Sequence, residues 1–169
     1  MFRVSLFICI MFSFSMSEAY CAGLPHNKQL ESETLSLTYL GNVGNKQFFV
    51  ADDLESWQEA TSTCFRSGLR LVQIKSEEEY NFAKEKLIAH GPFWLGARDI
   101  ARASMFRWSG LNAPIDLEDP DTFIEDYIYY YNYIEQGPLA LQMNYAVGGA
   151  VFAAHSFGKT AKAFCQCGE

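Results

Sequence analysis

The sequence predicts an α+β domain. Two segments with helix-start signals lie between residues 52 and 91, and five short runs rich in branched and aromatic residues follow between Phe93 and Cys167. Apolar residues make up 49% of the 169-residue chain and aromatics 15%, which is enough to bury one core and unlike a disordered composition. There are no internal repeats.

Each element has a local reason. Residues 47–51, QFFVA, read as a short strand. Asp52 and Glu55 are spaced as a capping box, and Leu54, Trp57, Thr61 and Cys64 share one helical stripe that ends near Gly68, so Cys64 faces the core. Residues 70–74, RLVQI, alternate as a strand does. A second helix is predicted from Ser76, with Glu79 at its third position, to the break at Gly91-Pro92. The acidic run Glu77 to Glu79 reads as a first turn facing the helix dipole rather than as a metal cluster. The later strands are FWLGA, MFRWS, LALQMNY, GAVFAA and AKAFCQC.

The chain opens with Arg3 ahead of an apolar stretch from Val4 to Met16, followed by Ser17 and Ala19. This is the layout of a signal peptide over residues 1–19, with cleavage after Ala19 and Ala22 as the second choice. The stretch is shorter than the roughly 20 residues a membrane span needs, and no other long apolar run follows. The expected location is extracellular, with residues 20–45 an N-terminal segment and 46–169 the folded domain. Secretion favours disulfides over metal ligation for Cys21, Cys64, Cys165 and Cys167, and their number permits three connectivities. Zinc would call for close ligand pairs at both ends, but His26, His90 and His155 are scattered.

The net charge is −7, and no lysine or arginine occurs between Arg107 and Lys159. A chain so charged offers no basic face for phosphates, so nucleic acid is excluded as a partner. No GxSxG, HExxH or Gly-rich phosphate loop is present, and no histidine has a context that nominates a general base. The expectation is a binding protein and not an enzyme. No Asn-x-Ser/Thr acceptor occurs.

Several elements, in this order, resemble the C-type lectin-like domain family across roughly residues 46 to 167. FFVADDLESWQEATSTC resembles the family's opening strand and first helix, and SGLRLVQIKSEEEYNFAKEKL the turn into its second helix. Phe93-Trp94-Leu95-Gly96 resembles the Trp-Ile-Gly-Leu core motif, Phe106-Arg107-Trp108 the strand after it, and AFCQC the closing strand. The resemblance implies a fold of two helices and short, mainly antiparallel strands with a long variable binding loop. It also implies a Cys64–Cys165 disulfide. Residues 165 and 167 point the same way along a strand, and Cys21 is assigned as the partner of Cys167. A free thiol at either position in unreduced peptide maps would contradict that assignment. The family's short disulfide is absent, its positions falling near Ala140 and at Phe157.

Function follows from the same resemblance, which implies carbohydrate or glycoconjugate binding, with an extracellular protein as the alternative partner. Sugar-binding members hold calcium with a Glu-Pro-Asn or Gln-Pro-Asp loop and a Trp-Asn-Asp strand. Calcium takes about six to eight oxygen ligands. Here the strand motif reads Phe152-Ala153-Ala154, and Glu135-Gln136-Gly137-Pro138 stands where the loop motif belongs. The usual calcium set is therefore not expected, and no cofactor is assigned. Residues 116–135, DLEDPDTFIEDYIYYYNYIE, occupy the variable loop and hold seven carboxylates and five tyrosines. Asp119, Asp121, Glu125 and Asp126 are candidates for a non-standard calcium site, since clustered carboxylates repel unless a cation neutralises them. Tyr129 and Tyr130 are candidates for a recognition surface. The third reading is a half-buried strand carrying Tyr127, Tyr129, Tyr131 and Tyr133, with solvated acids at its approach.

Overall fold

The computed structural model describes residues 36–99, 106–109, 114–115, 127–128, 137–146 and 149–168. Within them the elements run β1 (Leu37–Val43), β2 (Lys46–Glu55), α1 (Trp57–Arg66), β3 (Arg70–Leu71), α2 (Glu77–His90), β4 (Phe93–Asp99), β5 (Arg107–Trp108), β6 (Tyr127–Ile128), β7 (Leu139–Ala146), β8 (Gly149–Ser156) and β9 (Ala161–Cys167). The strands order as β1-β2-β9-β4-β7-β8-β6, with β3 added on β9 and β5 on β4. Pairing is antiparallel except between β4 and β9 and between β6 and β8. The sheet begins at Leu37, inside the segment assigned to residues 20–45.

Each face of the sheet is covered by one helix. On one side Tyr80, Ala83 and Leu87 of α2 pack with Phe93, Leu95, Leu141, Met143, Phe152 and Phe164. On the other, Trp57, Ala60 and Cys64 of α1 pack with Trp94, Ala140, Ala163 and Cys165. Strand alternation sends Leu95 and Trp94 to opposite faces, which is why the Phe93–Gly96 run is apolar throughout. Two indole N–H groups tie these layers. Trp57 Nε1 donates to the Leu95 carbonyl at 2.9 Å, and Trp94 Nε1 to the Glu55 carbonyl at 2.8 Å. Gly96 has to be glycine, because a Cβ there would stand 2.8 Å from the Leu71 carbonyl oxygen.

The first helix starts later than the sequence pattern indicates. Asp52 and Glu55 do not cap it; Leu54 and Glu55 continue β2 by pairing with Lys162 and Ala161. Ser56 is the N-cap, and its reciprocal bonds with Glu59 complete a capping box of the same spacing, four residues on. The ladder with β9 decides between two equivalent local signals, and Leu54 is left 59% exposed instead of on the buried stripe. The second helix matches expectation, with Ser76 Oγ accepting from the Glu79 N–H. The strand expected over residues 70–74 pairs only at Arg70 and Leu71.

Glu79 has a further role. Its Oε1 lies 2.6 Å from Lys46 Nζ, and its Oε2 accepts from the Lys75 N–H at 2.8 Å. Lys46 is 1% exposed, and its ammonium also donates to the Gln73 carbonyl at 3.0 Å. Burial pulls the Lys46 pKa down against the opposing pull of Glu79. The pair joins the start of β2 to the start of α2.

Cys64 and Cys165 are bonded, with Cα atoms 5.5 Å apart across 101 positions of sequence. On the chain-entropy account such a loop stabilises the fold by about 4–5 kcal/mol. Cys165 and Cys167 share the α1-side cluster, as period two requires. Cys167 is itself disulfide-bonded; Cys21, the partner assigned to it, lies outside the described residues. At the positions of the missing short disulfide, Ala140 is buried and Phe157 stacks on Trp57 at 4.6 Å between centroids.

Removing one partner of a buried ion pair leaves an uncompensated charge. Glu79→Ala should cost about 3–5 kcal/mol in urea unfolding, whereas Lys46→Met with Glu79→Leu should be neutral or stabilising. Equal losses in both would show that side-chain volume and not the stranded ammonium sets the cost. Phe157→Ala should lose about 1–3 kcal/mol, read as a lower thermal midpoint, and an unchanged midpoint would contradict a structural role for the stack.

Candidate functional site

The site is assembled around β8, the strand the resemblance aligns with calcium ligation. Alternation along β8 sends Ala150, Phe152 and Ala154 into the α2-side core. Phe152 is 1% exposed and meets Tyr80 edge-on at 5.9 Å, and Tyr80 Oη donates to the Ala150 carbonyl at 3.2 Å. Phe152 thus fills an apolar position in the core. Ala153 and Ala154 are both buried and carry only methyl groups. Across the ladder they face Gln142 and Leu141 of β7.

Ala153 and Ala154 supply no side-chain oxygen for calcium. Its ligands must be oxygens converging on one point, and among the described residues the amides facing this strand from β7 are hydrogen-bonded to one another and to the backbone. Gln142 Oε1 accepts from Asn144 Nδ2 at 3.0 Å, and Gln142 Nε2 donates to the Thr160 carbonyl at 3.4 Å. Pro138, exposed just before β7, has no side-chain oxygen either. Among the described residues no three His, Cys, Asp or Glu side chains cluster as a metal site would.

The acidic, tyrosine-rich stretch reaches this strand. Tyr127 and Ile128 form β6 and pair in parallel with Phe152 and Ala153. That pairing brings these two residues to β8, and it places Tyr127 in a strand as the alternation of tyrosines suggests. Asp119, Asp121, Glu125, Asp126, Tyr129 and Tyr130 lie outside the described residues.

Elsewhere one carboxyl group stands out. Glu55, at the junction of β2 and α1, accepts from Thr63 Oγ1 at 2.8 Å through Oε1, while Oε2 is buried with no hydrogen-bond partner among the described residues. Burial raises its pKa against the pull of Thr63. A second feature escaped the sequence pattern. Leu87, Ile88, Gly91 and Pro92 at the end of α2 line a cavity of about 340 Å³ with Asn144 and Tyr145 of β7. Tyr145 shares the alternation of the buried Leu141 and Met143, yet it stands past the end of the core and is 66% exposed.

A raised carboxyl pKa has a defined sign. Below the unfolded pKa both states are protonated and the fold keeps its full stability; as pH rises through the folded pKa, ionising Glu55 in its buried position takes stability away. Glu55→Gln keeps the acceptor for Thr63 and should raise the thermal midpoint at pH 7 more than at pH 4. An equal effect at both pH values would contradict burial of the charge as the cause.

A family profile described as "Lectin C-type domain" matches residues 53–114. CD209 antigen-like protein A of Mus musculus is 33% identical over 61 residues, 36% of this chain and 26% of that protein, so the match spans about a quarter of that relative. The mouse scavenger receptor C-type lectin carbohydrate-recognition domain superposes with a TM-score of 0.59 at 19% identity, over 76% of this chain and 93% of that one. A calcium-independent type II antifreeze protein superposes with a TM-score of 0.55 at 19% identity, over 78% and 95%.

Proposed function

The chain carries a C-type lectin-like domain, and from that premise we propose that it is a secreted recognition protein that binds carbohydrate without the usual calcium-ligand set. The observation that supports the second half is Ala153 and Ala154, two buried methyl side chains at the strand positions where the family's calcium chemistry needs oxygens. The antifreeze protein of similar fold, described as calcium-independent, agrees with a working surface of this kind that needs no metal. The carbohydrate half draws on the family and on the scavenger receptor's carbohydrate-recognition domain.

In this reading the ligand is held by residues 116–135, brought to β8 through β6. Tyr129 and Tyr130 supply flat amphipathic surface for the apolar face of a sugar ring. Asp119, Asp121, Glu125 and Asp126 accept hydrogen bonds from its hydroxyls. Charged acceptors make stronger bonds than neutral ones, so an acidic loop binds polyols without a metal intermediary.

Glycan-array binding by the disulfide-intact protein, once in calcium and once in chelator, tests this. Equal binding in both arms is expected, and Tyr129→Ala with Tyr130→Ala should weaken it about ten-fold or more. Binding lost in chelator would overturn calcium independence, and silence in both arms would overturn carbohydrate as the ligand in favour of an extracellular protein.

A further inference from the structure

The cavity between the end of α2 and the end of β7 combines features that a protein surface rarely leaves unused. Its walls are Leu87, Ile88, Gly91 and Pro92 on one side and Asn144 and Tyr145 on the other, and its volume of about 340 Å³ is of ligand size. Tyr145 is 66% exposed and Ile88 74%, so two large side chains stand at the rim with much of their surface in water. Exposing apolar area has a free-energy cost, which a ligand laid against them would recover.

The chemistry of the walls selects among ligands. None of the six lining residues is charged, so phosphate, sulfate and carboxylate groups would lose water there without compensation. A wholly apolar ligand would leave Asn144 unpaired. Asn144 is held in place by donating through Nδ2 to Gln142, which in turn donates to the Thr160 carbonyl. That chain uses none of the acceptor capacity of Asn144 Oδ1. A phenol ring, a proline ring, two aliphatic side chains and one fixed amide suit a molecule with an apolar face and a hydroxyl-bearing edge.

We propose that this cleft is a second carbohydrate site, taking one neutral pyranose unit with its C–H face on Tyr145 and a ring-edge hydroxyl or acetamido group on Asn144. It rests on the carbohydrate reading above and adds a place on the molecule where that recognition occurs. Its lining shares no residue with the 116–135 stretch. A glycan engaged at both places would bind more tightly than at either alone.

The test uses the full disulfide-intact chain and a panel of neutral methyl pyranosides, including the N-acetylglucosaminide, followed by NMR shifts of the Asn144 side-chain amide and the Tyr145 ring. Both signals should move with one saturable curve. Tyr145→Ala, a surface change that leaves the thermal midpoint in place, should weaken binding about ten-fold while Tyr145→Phe retains it. Tyr129→Ala with Tyr130→Ala should leave these shifts unchanged. If neutral glycans bind on the array but neither cleft signal moves and Tyr145→Ala binds as wild type does, the second site is overturned and the lectin reading stands. If no neutral sugar binds the wild type by either method, both fall together.

Discussion

The fold depends on β9. This strand pairs with β2, β3 and β4, supplies Cys165 to the bond with Cys64, and places Phe164 in one core and Cys165 in the other. It comes last in the chain, so nearly every contact it makes spans a long loop whose closure must be offset by burial and by the covalent link. With β9 seated, α1 is fixed from one side through Cys64, and β4 is fixed in the middle of the sheet. β7, β8 and β6 then add outward in turn, which sets where any ligand is met.

What β8 presents at that outer end decides the chemistry. A strand bearing amide and carboxylate side chains there would need a cation to offset their repulsion and their desolvation. Methyl groups at Ala153 and Ala154 carry no such demand, and β6 pairs alongside at Phe152 and Ala153. On the neighbouring strand Asn144 donates to Gln142.

Much of this was legible from residue pattern because the relevant forces are local or periodic. Ser76 and Glu79 marked a helix start, alternation marked β7, β8 and β9, and the stripe through Trp57 and Cys64 marked the face that meets the sheet. Where sequence reasoning failed, a nonlocal partner made the choice. Asp52-x-x-Glu55 and Ser56-x-x-Glu59 are equivalent capping signals, and only the pairing of Leu54 with Lys162 selects the second. Glu79 looked like a helix-dipole residue, and its salt bridge to Lys46 joins residues 33 apart that no spacing rule connects. The cleft at Tyr145 was hidden because strand alternation assigns a face but does not say where the core stops.

The central claim is that this domain meets its ligand without calcium, and the most direct measurement is the thermal midpoint of the disulfide-intact chain across a calcium series. The series should extend well past ~1 mM, the weak end of extracellular calcium sites. A ligand that binds only the folded state raises stability with the logarithm of its concentration above Kd. The account predicts a midpoint that stays flat throughout. A midpoint that climbs with calcium and is reversed by chelator would contradict it.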